Sequence, residues 1–259
     1  MRFFKEVKKY ASYMYYAAYA NLKAQVAGSY LNWVWWLLEP LGMMIVYSVI
    51  FGWLFKQGIQ YFPVFIFIGN TIWGFFNRVS ISSVSLIKQN EALISRIYIP
   101  KFILLVIEMF INGFKLLIQF GLTIVLMLIY RVPVSIHVLW IIPILVTLFL
   151  VTFGICSIIM NWGVFLEDLE HAMSILLTVW MYFSGIFYDF KTMVPEPTAS
   201  IAIVVNPIAY LIIAMRDALM YSRAPQLTVL AGWFVAGLVL STLGLHAIYK
   251  NENGYVKRI

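Results

Sequence analysis

The polar residues of this sequence do not fall into the spacings that catalytic and metal sites require. His137, His171 and His246 are far apart and have no ligand-like spacing, so no metal site is predicted. No serine stands in a nucleophile elbow, and no helix carries a paired Glu-x-x-His motif. Residues 185–192 hold the lysine and threonine of a phosphate-binding loop, but Phe190 occupies the position of its second glycine. The sequence therefore predicts a protein that is not an enzyme.

Three ionisable residues stand inside long apolar runs. Glu39 lies near the start of the first run, while Glu108 and Lys115 lie in a later run, two helical turns apart and on roughly the same face. An ionised side chain in hydrocarbon is costly unless it meets water or a partner. We therefore expect these side chains to face protein or water rather than lipid.

The composition excludes a soluble globular fold. Of the 259 residues, 63% are hydrophobic and 11% are charged, and the mean hydropathy is +0.90. One soluble core cannot hide that much apolar surface, so most of the chain must lie in lipid. The net charge of +7 comes from basic residues scattered between apolar runs, a pattern that argues against nucleic-acid binding.

Six apolar runs are predicted to cross the bilayer. The first begins with a cluster of tryptophans typical of an aromatic belt, and at about 1.5 Å per residue it covers roughly 30 Å. The predicted spans are 33–55, 61–82, 102–130, 137–162, 172–190 and 227–249. The predicted fold class is thus an all-α integral membrane protein whose residues 1–259 form a single transmembrane domain, with spans one to five inside residues 30–190.

The first 29 residues are predicted to form an amphipathic helix on the membrane surface. One stripe carries apolar and tyrosine side chains, and another carries lysines that can meet anionic headgroups. The first stripe consists of Ala11, Tyr15, Ala18, Tyr19, Leu22 and Val26.

Residues 191–225 are predicted to form an external re-entrant segment before the last span. The stretch 197–215 carries no charge, yet Asn206 and Pro207 interrupt it near its middle. Two short half-helices that dip into the membrane and return fit this pattern better than a continuous seventh span. The sixth span and a cytoplasmic tail follow in residues 226–259.

The basic residues predict the orientation of this topology. With the N-terminus inside and six spans, twelve of the 18 basic residues lie on the inner side and five on the outer side. Because cytoplasmic loops carry an excess of lysine and arginine, both termini are expected to be cytoplasmic.

Several short motifs, in this order, resemble one known family. They are the entry of the first span (Trp35-Trp36-Leu-Leu-Glu39-Pro40), the segment 65–76, the loop Asn90-x-x-Leu-Ile-x-Arg96-Ile-x-x-Pro100, the pair Asp168-x-x-His171, and the stretch NPIAYLIIAMRDAL at 206–219. Together they resemble the membrane subunits of ABC exporters that move lipid-linked polysaccharide, O-antigen or teichoic acid. The sequence departs from the family pattern at Glu167, where a basic residue is common, and at Ser184-Gly185, where serine-proline is usual.

The resemblance implies a permease subunit of the cytoplasmic membrane that works as a homodimer with two copies of a separate ABC ATPase. It implies that ATP and Mg are held by that ATPase, that this chain binds no cofactor, and that the cargo is a lipid-linked glycan. Two cytoplasmic loops and the N-terminal surface helix are expected to contact the ATPase. The predicted coupling residues are Lys88, Gln89, Asn90, Glu91, Arg96, Glu167, Asp168 and His171.

Aromatic side chains on the first span and around the fifth are candidates for the substrate pathway, because aromatic faces stack on sugar rings. Packing or belt roles are the alternative for each of them. The candidates are Tyr47, Phe51, Trp180, Tyr182, Phe183, Phe187 and Tyr188. Asn206, Pro207, Arg216 and Asp217 are the candidate external gate, with the alternative that Arg216 and Asp217 satisfy each other at the outer surface.

Three other functions remain open from the residues. An ABC exporter of a small hydrophobic drug would share the same loops. An ion-coupled carrier would need ionisable residues near the bilayer midplane, for which Glu108 and Lys115 are the candidates. A membrane-bound transferase is disfavoured by the absence of catalytic motifs.

Overall fold

The computed structural model describes residues 2–27, 30–54, 58–166 and 168–255. Within these ranges every regular element is helical, and α-helices of very different lengths follow one another along the chain. They are α1 (Arg2–Lys9), α2 (Ala11–Val26), α3 (Trp35–Tyr47), α4 (Phe62–Gln89), α5 (Glu91–Ile94), α6 (Phe102–Ile129), α7 (Ile141–Gly163), α8 (Leu169–Tyr182), α9 (Phe190–Met193), α10 (Thr198–Val205), α11 (Pro207–Leu219) and α12 (Leu227–Tyr255). The all-helical prediction is confirmed.

Five of the described helices are long and apolar enough to cross a membrane. These are Trp35–Trp53, Phe62–Gln89, Phe102–Ile129, Ile136–Gly163 and Leu227–Glu252, and the bent pair formed by α10 and α11 would make a sixth if counted as one span. The first continues from α3 into a π-helix at Ser48–Leu54, and the fourth begins with a 3-10 turn at Ile136–Trp140. Pro40 lies inside α3. The departure from α-helical geometry comes later, in the π-helix that begins at Ser48.

The predicted fifth span is shorter than expected. Helix α8 ends at Tyr182 after 14 residues, about 21 Å, which is less than the hydrocarbon thickness. The chain turns at Gly185, whose positive φ of 65° suits glycine, and the ring of Phe190 fills the space where a Cβ would stand. The prediction of a continuous helix over 172–190 is therefore wrong at its distal end, where the chain makes a turn instead.

Helix α4 is the centre of the bundle. Eighteen of its 28 residues are buried, on all sides of the helix, because α3, α6, α7, α8 and α11 all pack against it. By contrast, Leu177 is the one residue buried on α8, and α3 buries Pro40 and Met44. The outer faces of α3 and α8 thus carry many large apolar side chains that the single chain does not cover.

Helices α7 and α12 approach each other closely because glycines and serines line their contact. A Cβ at Gly154 would lie 2.6 Å from the Leu240 Cβ, and one at Gly244 would lie 2.4 Å from the Ser157 Cβ. The Ser241 hydroxyl donates to the Leu150 carbonyl across this contact at 3.1 Å. Small residues that allow backbones to approach are the usual basis of helix association in lipid.

The N-terminal segment forms two helices, and α2 packs against α6. The predicted stripe is divided between two environments. Tyr15 and Tyr19 are exposed, whereas Ala18 and Leu22 of the same stripe pack against the core. The contact with the core also includes Phe3, Val7, Tyr10 and Met14.

The break at Asn206 and Pro207 is confirmed. Helix α10 ends at Val205, α11 begins at Pro207, and the two axes are bent by 101°. Proline suits the first turn of α11 because its missing N–H would have no partner there. The loop between α4 and α6 contains one short helix, α5.

Both described chain ends and the loop after α4 lie at one end of the bundle. The Tyr10 hydroxyl donates to the Tyr98 carbonyl at 3.3 Å, and Arg2 lies 3.7 Å from the Glu252 carboxylate. The end of α7 is at this end too, since a Cβ at Gly163 would overlap the Val84 carbonyl of α4. The described chain ends, the loop after α4 and the end of α7 therefore lie together, as the predicted topology requires. Which side of the membrane this end of the bundle faces stays a prediction.

We predict that Gly154→Ala destabilises the bundle, because the new methyl group meets the backbone of α12 rather than a flexible side-chain tip. Overpacking of this kind costs about 1–3 kcal/mol. The measurement is the thermal unfolding midpoint of the detergent-purified chain. Gly232→Ala is the matched control, because a Cβ there has nothing within 4 Å. Equal midpoints for the two variants would contradict the close packing of α7 and α12.

Candidate functional site

The guanidinium of Arg216 is buried at the distal end of the bundle. Arg216 is 3% exposed, and its Cζ lies 3.3 Å from the centroid of the Phe65 ring. Nε and Nη2 donate to the Phe65 carbonyl at 3.1 and 3.0 Å, Nη1 donates to the Gly185 carbonyl at 2.8 Å, and Nη2 also donates to the Ile186 carbonyl at 2.9 Å. Arg216 therefore ties α11 to α4 and to the turn after α8.

This geometry corrects the surface interpretation of Arg216. The side chain does not lie at the surface with Asp217 as its partner, because its donors are directed at three backbone carbonyls. Gly69 leaves room for this guanidinium, since a Cβ at residue 69 would lie 2.7 Å from Arg216 Nη2. A small cavity of about 200 Å³ borders Arg216 and is lined in part by Asp189, Asp217 and Arg223.

Asn206 connects the same region to α8. Its Oδ1 caps α11 by accepting from the amides of Ile208 and Ala209, each at 3.1 Å, and also accepts from the Trp180 indole at 2.9 Å. Its Nδ2 donates to the Phe183 carbonyl at 3.0 Å. The candidate gate residues Asn206 and Arg216 thus hold the turn after α8 against the start and the end of α11.

The structure brings four of the candidate pathway aromatics into one cluster. Phe187, which is 2% exposed, stacks on Phe51 at 4.6 Å between ring centroids and meets Tyr47 edge-on at 4.8 Å. Tyr182 lies 5.7 Å from the same ring. Within one chain the cluster is therefore a packed contact between the first span and the turn after α8.

The other three candidates lie around this cluster. Trp180 packs edge-on against Phe76 at 5.1 Å, and the Tyr188 hydroxyl donates to the Tyr182 carbonyl at 2.9 Å. Phe183 is 66% exposed.

The candidate coupling residues lie at the end of the bundle opposite to Arg216. Lys88, Gln89, Glu91 and Arg96 are exposed around α5, and Asp168 and His171 are exposed at the start of α8. Asn90 is half-buried and donates to the Leu86 carbonyl at 2.8 Å. Glu167 lies outside the described residues.

A polar cluster fixes the N-terminal helix to this end. Arg2 donates to Glu6 at 2.7 Å and to the Tyr98 hydroxyl at 3.2 Å, and its guanidinium lies 4.4 Å from the Tyr249 ring centroid. Partial burial and the nearby Glu252 carboxylate raise the pKa of Tyr98, and its hydroxyl donates to Glu252 at 3.2 Å. The cluster joins α1, the loop before α6 and the end of α12.

A polar cavity of about 270 Å³ lies among the membrane helices. Its wall is formed by α3, α4 and α6 with one residue of α8, and it mixes aromatic, amide and charged side chains. The lining residues are Trp36, Glu39, Pro40, Met43, Tyr47, Asn70, Trp73, Gly74, Asn77, Arg78, Lys115, Gln119 and Met181. We refer to this space as the polar cavity.

The comparisons with known proteins decide the family. The family model described as "ABC-2 type transporter" matches residues 14–220 of this chain. This chain belongs to that family. The resemblance found in the sequence motifs is thereby confirmed at the level of a membrane permease of ABC transporters.

Two similar curated proteins carry the same printed name. The chain is 26% identical over 241 residues to the O-antigen export system permease protein RfbA of Myxococcus xanthus, covering 93% of this chain and 92% of that protein. It is 25% identical over 231 residues to the protein of that name from Klebsiella pneumoniae, covering 89% and 88%. The ABC-2 chain described here is thus a multi-span membrane permease similar to these export proteins over most of its length.

Sequence reasoning missed the polar cavity as a unit. It identified Glu39 and Lys115 as residues that should avoid lipid, and both line the cavity. Arg78, inside α4, lines the same cavity. A helical signal was present, because Asn70, Trp73, Gly74, Asn77 and Arg78 repeat at intervals of three and four residues along one face.

We predict that Arg216→Lys lowers the stability of the protein even though the charge is retained. A lysine cannot reproduce the planar fork that reaches the Phe65, Gly185 and Ile186 carbonyls, so buried acceptors are left without donors. The expected loss is about 1–3 kcal/mol for each buried carbonyl left without a donor, measured as reduced yield of folded chain and a lower thermal midpoint. Arg223→Lys, at an exposed position nearby, is the control. A stable Arg216→Lys variant would show that the fork geometry is dispensable.

Proposed function

We propose that this chain is the permease subunit of an exporter that moves lipid-linked glycan outward across the cytoplasmic membrane, and that it acts as a homodimer with two copies of a separate ABC ATPase. The observation that carries the proposal is the similarity to O-antigen export permeases over about nine-tenths of both chains. ATP and Mg would be bound by the ATPase, and this chain would supply the pathway.

The exposed faces of α3 and α8 support the dimer. Two apolar helices that bury so little within one chain must meet lipid or another protein. Glu39 is exposed on α3, and a carboxylate at that position is costly against lipid. A second copy that packs against these faces, or a water-filled space between two copies, would remove that cost.

The opposite end of the bundle supports the ATPase contact. Polar residues of the α4–α6 loop and of the start of α8 are exposed at the same end as both described chain ends. The contacts around Arg2 and Glu252 would let a force on this surface act on α1, the loop before α6 and α12 together. We propose that this end is cytoplasmic, as the distribution of basic residues predicts.

The direct test is complementation in cells. The chain, co-expressed with its ATPase, should export a lipid-linked glycan to the cell surface in a strain that lacks its own exporter. Export that persists with an ATPase unable to hydrolyse ATP would contradict the proposal.

We predict that the double change Glu167→Lys and Asp168→Lys reduces ATPase-coupled export more than membrane insertion, because it reverses charge on the proposed coupling surface. Surface glycan and the amount of ATPase that co-purifies with the chain are the two readouts. Arg131→Glu, also an exposed charge reversal but outside this surface, serves as the control. Unchanged export and unchanged complex formation in the double variant would show that this segment is not a coupling surface.

The pathway aromatics can be separated by their burial. We predict that Phe183→Ala slows export while leaving the protein stable, since this ring is exposed in the single chain and packs little. Phe187→Ala should instead destabilise the protein by about 3–5 kcal/mol, because its ring is enclosed by other aromatic rings. Glycan export and the thermal midpoint of the purified chain are measured for both. Normal export in Phe183→Ala, or a fully stable Phe187→Ala, would contradict this assignment.

A further inference from the structure

A second space, of about 490 Å³, lies between the beginnings of α7 and α12. We refer to it as the apolar crevice. It lies at the Arg216 end of the bundle, since the Tyr210 hydroxyl of α11 donates to the Gln226 carbonyl just before α12 at 2.6 Å. Its lining comes from residues 140–147 and 227–234, two stretches that are each roughly 10 Å long. That is about a third of a hydrocarbon core, so the crevice stays within one leaflet.

The crevice begins where the close contact of α7 and α12 ends. Further along the two helices, a Cβ at Gly237 would lie 3.1 Å from the Leu150 Cβ, and Gly154 continues the contact. Toward the Arg216 end, the lining contains larger residues such as Pro143 and Phe234, and a space is left between the helices. The shape of this space is therefore a consequence of the sequence of both helices.

Water does not suit the apolar crevice. Seven of the nine described side chains that line it are wholly apolar, and the other two are Trp140 and Thr147. The Thr147 hydroxyl is used within its own helix, where it donates to the Pro143 carbonyl at 2.8 Å. A buried water needs two to four polar partners, whereas large apolar cavities bind apolar molecules. The chemistry of the lining thus calls for an apolar occupant.

The surroundings of the crevice supply one. Both helices are long and apolar enough to span a membrane, and exposed apolar side chains such as Ile142 and Val235 flank the lining. Helix α12 packs chiefly on α7, and it is α4 rather than α12 that packs against α3 and α8. The second copy and the cargo, which we propose to meet at α3 and α8, are therefore not expected at the crevice. This step alone rests on the proposed function.

We propose that the apolar crevice is a binding site for one acyl chain of a bilayer phospholipid from the leaflet at the Arg216 end of the bundle. The inference goes beyond the proposed function, because this ligand is neither the cargo nor the ATPase. An unfilled crevice would leave its lining atoms without dispersion contacts, and a flexible acyl chain can follow its irregular wall. Since the chain already lies in hydrocarbon, the preference comes from packing and is modest in size.

The test is photolabelling of the full-length chain in vesicles of dioleoyl phosphatidylcholine. A small fraction of the lipid carries a diazirine on one acyl chain, and the labelled residues are mapped by mass spectrometry. Val146 lines the crevice and is 45% exposed, whereas Val235 lies outside the lining at a similar depth and is 58% exposed. We expect about fivefold more label on Val146, because a chain in the crevice makes more carbon contacts. Equal label on the two valines would indicate an ordinary lipid shell and overturn the proposal.

Filling the crevice provides the matched variants. Ala231 lines it, and Ala231→Trp would place an indole where the acyl chain lies. The label on Val146 should then fall about fivefold, whereas Val235→Trp, outside the lining, should leave it unchanged. Ala231→Leu is a milder filling variant and decides the matter if Ala231→Trp does not fold. Unchanged label on Val146 in a folded filling variant would overturn the proposal.

Two other results would name a different occupant and overturn the phospholipid assignment. One is stronger labelling of Val146 by a diazirine-bearing polyprenyl lipid than by the phospholipid, which would assign the crevice to an isoprenoid chain. The other is a disulfide between two copies of an Ala231→Cys chain, which would place a second copy there. The native Cys156 is buried, so the new thiol is the one accessible for this cross-link.

The two proposals fail separately. Labelling uses the chain without its ATPase and without a glycan, so equal label on the two valines would leave the proposed export function intact. A chain that is labelled as expected but exports no glycan would overturn the proposed function and leave the crevice assignment in place.

Discussion

The hydrocarbon core offers no water, so each polar group carried into it must find its partner within the protein. Arg216 shows the constraint fully met, because its guanidinium reaches three carbonyls from two distant segments and lies against the Phe65 ring. That one side chain joins α4, the turn after α8 and α11. Asn206 adds a second junction a few residues away, where it caps α11 and accepts from Trp180. The distal end of the bundle therefore depends on these polar contacts as much as on apolar packing.

The same constraint is only partly met in the polar cavity and on α3. Arg78 has one described hydrogen bond and an unpartnered Nη2, and Glu39 is exposed on a helix that should lie in the membrane. Groups left in this state are the expected signature of a ligand site or a partner surface rather than of a packed core. The two regions thus differ in whether the described chain alone satisfies their polar atoms.

Much of the architecture was predictable, because hydropathy and helix breakers act locally along the chain. The five long helices, the short helix in the α4–α6 loop and the break at Asn206-Pro207 all follow from such local signals. The end of α8 did not, since the apolar run continues to Phe190, whereas in the structure the chain turns at Gly185 and the carbonyls of Gly185 and Ile186 accept from the distant Arg216.

The candidate site was predictable only in part. Burial separates Phe187 from Phe183, although the sequence treats both as equivalent aromatics of one pathway. The polar cavity depends on three helices from different parts of the chain, so the anomalies at Glu39 and Lys115 gave no indication that they share a space with Arg78. Local patterns identify such residues as unusual, and packing decides which of them meet.

The most direct measurement follows a fluorescently labelled lipid-linked oligosaccharide across the membrane of proteoliposomes that contain this chain and its ATPase. The account predicts transport that requires ATP hydrolysis and is unaffected when the proton gradient is collapsed. Transport that continues without ATP and stops when the gradient is collapsed would identify an ion-coupled carrier and contradict the account.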